Sequence, residues 1–195
     1  MVERFAGPDS FIAAADSGYD SAVASGFMPQ VLVGDMDSIH DADAATNTEG
    51  LEVLSYDTDK DHTDTELLFA LVTDRGFSPT VLVGGGCDGR MDHELAILAM
   101  FERSVHPDVW INDRAETYCV ESNTHTHSVS QGRTVSVFPV GEGPWHIEST
   151  GLKWPLQDVS WSRSTVGVSN KAVADRISVT VHTGRLLIVY PYQDG

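Results

Sequence analysis

The stretch LEVLSYDTDKDHTDTELLFAL, residues 51–71, carries the first decision about the fold. It opens as a short apolar run, crosses the decapeptide DTDKDHTDTE (57–66) and continues with Leu67, Leu68, Leu71 and Val72 at helical spacing. Thr63 followed three residues later by Glu66 forms a capping box, and Gly76 sits where a helix stop is expected. The stretch therefore reads as strand, junction, helix. A calcium loop is the competing reading of the acids. It requires acids at positions 1, 3 and 5, glycine at 6 and glutamate at 12. Asp57, Asp59 and Asp61 satisfy the first three, but His62 and Leu68 fill the last two, so the EF-hand fails.

The same unit recurs on either side. FIAAAD (11–16), QVLVGD (30–35), TVLVGG (80–85) and PDVWIND (107–113) are short, apolar runs bounded by turns, as buried strands are. Residues 63–75 and 92–103 read as helices, the second with Leu95, Leu98, Ala99 and Phe101 in a stripe. Only a short helix fits between Asp16 and Pro29. Strands alternating with helices imply an α/β N-terminal domain with a mainly parallel sheet. After about residue 114 the pattern changes. TYCVES, RTVSVFPV, WHIEST, LKWPL, STVGVSN, DRISVTVH and RLLIVYP are short runs separated by turn formers, with no helical stripe. They predict an all-β, sandwich-like C-terminal domain. The expected division is 1–114 and 115–195.

Composition narrows the function. The chain has 195 residues, 41% of them hydrophobic, with 12 basic against 29 acidic residues and a formal charge of −17. No stretch gathers enough Lys or Arg to follow a phosphate backbone, which argues against nucleic acid as a partner. No run approaches the ~18 apolar residues of a membrane span, and MVERFAGPDSF lacks a signal-peptide core. Cys87 and Cys119 are too few for a disulfide framework. A cytoplasmic setting without membrane attachment is the expectation.

The acids have a placement in common. FIAA runs into Asp16, VLVG into Asp35-Met36-Asp37, LEVLSY into the 57–64 cluster, and VLVGGG leads to Arg90 and Asp92. In a parallel sheet the C-terminal strand ends share one edge, where ligands bind. Carboxylates brought together there repel one another unless cations join them, and oxygen-only donors favour Mg²⁺ or Ca²⁺ over zinc. Asp61 and Asp64 flank Thr63 at a helix start, a place suited to phosphate. GGGCDGR (84–90) is no Walker A loop, yet it ends in an arginine able to grip phosphate. The combination points to phosphoryl-type transfer from a nucleotide. Each piece also has a plainer reading, as helix-terminal acids or turns. Lys60 is either a phosphate ligand or a surface lysine. His125 and His127, two apart on one strand face with no third ligand, read as surface residues.

GDMDSI (34–39), KDHTDTELLFAL (60–71), GRMDHELA (89–96), GLKWPL (151–156), GVSN (167–170) and ADSGYD (15–20) together resemble the motifs of the thiamine pyrophosphokinase family, and along the chain they keep the family's order. The resemblance implies an α/β catalytic domain and a β-sandwich domain in a homodimer with active sites between subunits. It implies transfer of a pyrophosphoryl group from ATP to the hydroxyl of thiamine, giving thiamine diphosphate and AMP, with Mg²⁺ as cofactor. Asp35, Asp37 and Asp64 would hold the metal, with Asp61 beside them, and Asp92 would orient a partner or the substrate alcohol. Thr63, Arg90 and Lys60 would serve the phosphates. Asp16, Trp154, Ser169 and Asn170 would serve thiamine; for Trp154 the plainer reading is core packing, and for Ser169-Asn170 a β-turn. The family opens with a further strand before ADSG, whereas ten residues precede FIAAAD here, so the sheet is expected to be one strand smaller or the start to lie downstream. Alternatives are a diphosphokinase for another heteroaromatic alcohol, such as a hydroxymethylpterin, and a non-catalytic Mg-nucleotide-binding module.

Overall fold

The computed structural model describes residues 4–40, 42–57, 59–85 and 90–192. By packing, the chain forms two compact units, residues 1–78 and 79–195.

The first unit is built on a parallel sheet in the order β1-β2-β3: β1 (Ala13–Ala15), β2 (Val31–Gly34) and β3 (Glu52–Ser55). Ala15 pairs with Val33, and Gly34 with Ser55. The register therefore aligns the three strand ends, with Asp16, Asp35 and Tyr56 following them. Side chains alternate along a strand. Leu32 packs with Tyr19 of α1 (Gly18–Ala24) and Ala45 of α2 (Ala42–Thr46). Val31 and Val33, pointing the other way, are also fully buried. The helix read at 63–75 is α3 (Asp64–Asp74), which packs against β1 and β2 and buries Leu68, Phe69 and Val72.

The second unit is a sandwich. Its larger sheet has the order β10-β8-β12-β6-β5-β4, from β4 (Val81–Val83), β5 (Val109–Ile111), β6 (Ala115–Glu121), β8 (Thr134–Val140), β10 (Gly167–Lys171) and β12 (Arg185–Pro191). Its smaller sheet is β7-β11-β9, from β7 (Thr124–Ser128), β9 (His146–Thr150) and β11 (Arg176–Thr183). Val135, Val137, Leu186 and Ile188 of the larger sheet share one core with Ile147, Ile177, Val179 and Val181 of the smaller. Leu187 faces the opposite way and packs with Ile97 of α4 (Met91–Met100), Phe101 and Trp110. Strand β12 is thus covered on both faces, which is why RLLIVYP is a continuous apolar run rather than an alternating one.

The structure bears out the parallel N-terminal α/β region and the mostly antiparallel C-terminal sheets, and departs from the sequence reading in four places. β4 and β5 pair in parallel with each other, yet they extend the larger sheet of the second unit. LKWPL is not a strand: Leu152 makes an isolated bridge to Ala172, and Leu156–Asp158 is a 3-10 turn after Pro155. α2 forms in a polar segment, DADAATNTEG, that carries no apolar period. His125 and His127 share a face as expected, but they are partly buried among rings instead of lying on the surface. The His125 ring centroid is 4.4 Å from that of Tyr118, and that of His127 is 4.3 Å from Tyr190. Burial, and secondarily the charge of His127, depresses His125 to about 4.

Candidate active site

The first unit's strand ends place four carboxylates and one lysine in a single electrostatic group. Asp16 follows β1 in a positive-φ conformation, φ 44°, and its backbone N–H donates to the Val33 carbonyl at 3.0 Å. That bond turns its side chain across the end of β2. Gly34 is the residue beneath it. A Cβ there would lie 1.8 Å from Asp16 Oδ1, and Gly34 itself has φ 154°. Only glycine leaves room for the carboxylate.

Asp35 and Asp37 are brought round by Met36, a second non-glycine residue at positive φ, 66°. The Asp37 backbone N–H donates to Asp35 Oδ1 at 3.2 Å and holds the Asp35 carboxylate below its usual range. Asp37 is shifted upward, first by its side-chain contact with Asp35 and then by the Asp35 charge. Asp20 of α1 accepts from the His40 N–H at 2.9 Å and ties down the segment after this turn.

Asp64 opens α3. Lys60 Nζ lies 2.9 Å from Asp64 Oδ1 and donates to the Asp57 carbonyl at 3.0 Å. Lys60 is therefore held within the cluster rather than free on the surface, and its pKa is raised, chiefly by Asp64. Asp16 is raised to about 7, first by burial, then by the neighbouring Asp64 carboxyl and the Asp35 charge. Asp16 Oδ1 is buried without a hydrogen-bond partner among the described residues. Two carboxylates face to face are both acceptors, so they coexist only with a shared proton or a cation between them. This all-oxygen donor set fits Mg²⁺. Asp61 is exposed nearby in sequence. Thr63 is committed to the helix start. Its hydroxyl donates to Glu66 Oε2 at 2.9 Å and accepts from the Glu66 N–H at 3.3 Å, while its own N–H donates to Glu66 Oε2 at 2.8 Å. The capping box read from the sequence is complete, and the hydroxyl is engaged in it.

Arg90, Asp92, Trp154, Ser169 and Asn170 belong to the second unit. Arg90 precedes α4 and grips Asp92 through Nε (2.8 Å to Oδ1) and a terminal nitrogen. The guanidinium holds Asp92 far below the carboxylate range. Residues 86–89 of the glycine-rich stretch, Cys87 among them, lie outside the described residues. Asn170 is buried, 4% exposed, and its amide is fully used: Nδ2 donates to the Trp154 carbonyl at 2.7 Å, while Oδ1 accepts from the Trp154 N–H at 3.1 Å and from the Lys171 N–H at 2.8 Å. Its neighbour Ser169 is exposed at φ 62°, beside a bulge in β10. Trp154 is 52% exposed, with Lys153 Nζ 4.6 Å from its ring centroid. It is not core. The sequence reading missed three supports: Gly34 under Asp16, Met36 between the two acids, and the backbone clamp of Asn170. The Lys60–Asp64 pairing left no helical mark in the sequence, because Lys60 precedes the Thr63 N-cap and is not on the helix.

Carboxylates at parallel strand ends beside a helix N-terminus, joined in sequence to a β-sandwich, define a two-part protein of the α/β-plus-β class whose sheet edge presents oxygen donors. The match to known proteins is more specific. Residues 2–112 match the thiamin pyrophosphokinase catalytic domain and residues 122–188 the vitamin B1 binding domain. The chain belongs to the thiamin pyrophosphokinase family. It is 26% identical over 167 residues to thiamine pyrophosphokinase 1 of Oryza sativa subsp. japonica, covering 79% of this chain and 63% of that protein. It is 24% identical over 177 residues to thiamine pyrophosphokinase 3 of the same plant, covering 83% and 65%. It thus spans less than two thirds of these relatives. The fold is similar to that of thiamin pyrophosphokinase from Geobacillus thermodenitrificans, TM-score 0.75 at 23% identity, covering 100% of this chain and 92% of that one. It is also similar to the Bacillus subtilis enzyme, TM-score 0.79 at 19% identity, covering 98% and 92%.

Proposed function

We propose that this chain is a thiamine diphosphokinase, transferring a pyrophosphoryl group from ATP to the hydroxyl of thiamine and releasing AMP. The observation that carries the reading is the carboxylate group at the strand ends, in which the Asp16 carboxyl neighbours Asp64 and its buried Oδ1 has no hydrogen-bond partner among the described residues. Asp35, Asp37 and Asp64 hold Mg²⁺, with Asp16 and Asp61 beside them. When bound, the metal neutralises phosphate charge in the displacement. Lys60 positions Asp64 and adds positive charge. Thr63 fixes the start of α3, whose first backbone N–H groups point toward an anion. Arg90 neutralises triphosphate charge, and Asp92 orients it through the paired contact.

In the displacement, the thiamine hydroxyl oxygen forms a bond to the β-phosphorus as the bond to the AMP oxygen breaks. The alcohol proton leaves to solvent or a carboxylate; a loose transition state asks little of a base. Trp154 supplies an aromatic face for the cationic thiazolium or the pyrimidine. Asn170 acts by fixing the Trp154 loop, and Ser169 offers its hydroxyl to the substrate. We assign the catalytic role to residues 1–114 and thiamine binding to 115–195, in a cytoplasmic homodimer with shared sites. In support of a dimer, β10 is an edge strand, and Val166, Val168 and Val173 near it are more than half exposed. Among the described residues, no helix is long and apolar enough to cross a membrane.

The test is an end-point assay with Mg²⁺, ATP and thiamine. AMP and thiamine diphosphate in equal amounts, both abolished by chelation, are expected. AMP formation with a pterin alcohol but not with thiamine would keep the chemistry and replace the substrate.

A further inference from the structure

We propose that His146, Glu148 and His182 form a binding site for a divalent transition-metal cation of the zinc class on the outer face of the β7-β11-β9 sheet. One ligand atom from each of the three lies within 4.8 Å of the others. All three are exposed, so a cation reaches them without opening the fold.

The backbone brings them together in two ways. His146 and Glu148 are two apart on β9 and so project to the same side, while Ile147 between them enters the core. On β11, Thr180 pairs with Glu148 and Val181 with Ile147, but Thr183 pairs with His146. His182 is the extra residue of that bulge. A bulge re-aims the side chain it carries, and here the His182 ring comes to a centroid distance of 4.6 Å from that of His146, tilted by 35°. His182 Nε2 is 3.4 Å from Glu148 Oε2. Two ligands on one tetrahedral zinc, at the usual bond lengths, stand ~3.3 Å apart, so this pair is already at ligand spacing. The third ligand atom lies within 4.8 Å of both.

The donor set decides the class of ion. Two imidazoles and one carboxylate suit Zn²⁺, Co²⁺, Ni²⁺ or Cu²⁺, whereas Mg²⁺ and Ca²⁺ require oxygen. Three protein ligands leave at least one position for water. The site is therefore chemically distinct from the all-oxygen carboxylate group of the first unit, and the two can be loaded separately. A bound ion would also cross-link β9 to β11 at the bulge, where ladder bonding is interrupted.

The experiment is calorimetric titration of Zn²⁺ into the full, chelator-stripped chain with Mg²⁺ in large excess, so that the carboxylate group is saturated. The readout is binding heat rather than turnover, which keeps it independent of the proposed reaction. One equivalent of Zn²⁺ per chain is expected. His146→Ala and His182→Ala should each weaken it by no less than the ~10–100-fold typical of losing a mere outer partner of a ligand. His62→Ala and Asp37→Asn should leave it unchanged. The exposed positions keep the variants folded, and circular dichroism checks it; Glu148→Gln, nearly isosteric, gives a further variant expected to weaken binding. No zinc binding in excess Mg²⁺, unaltered affinity in both histidine variants, or loss of binding in Asp37→Asn would each overturn the proposal.

Discussion

Gly34 shows how a single missing side chain sets the candidate site. Its absent Cβ is the space that Asp16 occupies, at 1.8 Å, so Gly34→Ala forces the carboxylate out or the strand aside. We expect a loss of ~1–3 kcal/mol, the usual cost of overpacking, read as a lower midpoint in thermal unfolding, together with reduced turnover. Unchanged stability and activity would mean that Asp16 sits elsewhere. At this scale the sequence was legible where chemistry follows position. Asp16, Asp35, Asp37 and Asp64 were found because each ends a strand or opens a helix. What the sequence did not disclose was how they are presented. The positive φ at Met36 leaves no mark in residue type, and at Asp16 only the weak one that aspartate tolerates this conformation better than most residues. The commitment of Asn170 to the Trp154 backbone depends on a loop sixteen positions away.

Elements were legible in proportion to their apolar period. All five N-terminal strands and the helices α3 and α4 fall within or within a residue of the stretches expected of them, because buried segments must be apolar at a fixed spacing. β7 is legible only through the spacing of its two histidines: THTHS has no large apolar residue, and its inner face is made of those side chains. Those histidines give the element a pH signature. His125 is held near 4 by burial, whereas an unfolded histidine titrates near 6.5. Between those values the unfolded chain binds a proton that the folded chain does not, so stability rises with pH across the window and falls as acid is added. The contribution, ~3 kcal/mol at most, is intact above about pH 6.5 and gone below about pH 4. Denaturant unfolding of the wild type and His125→Phe at several pH values checks this: the substitution should flatten the slope between 4 and 6.5. An identical slope in both would place the acid sensitivity in other groups.

For the whole molecule, the change in pattern near residue 114 marked the all-β region, but packing divides the chain after Ser78. Periodicity reports that a segment is a strand and is silent about which sheet it joins, so β4 and β5 could not be assigned from their residues. Assembly is a separate matter. If the exposed edge at β10 is covered by a second copy, Val168→Glu should convert a species of twice 21.1 kDa into one of 21.1 kDa in sedimentation equilibrium; a wild type already at the single-chain mass would contradict the homodimer. If carboxylates following the three strands hold Mg²⁺ for pyrophosphoryl transfer, turnover must fail in Asp37→Asn and Asp64→Asn when they are assayed beside the wild type. AMP and thiamine diphosphate would be quantified together, with circular dichroism confirming the fold. Metal-held phosphate charge contributes several kcal/mol to such a transition state, so each variant should lose at least about a hundredfold in rate while remaining folded. Near-normal rates in both would contradict the claim.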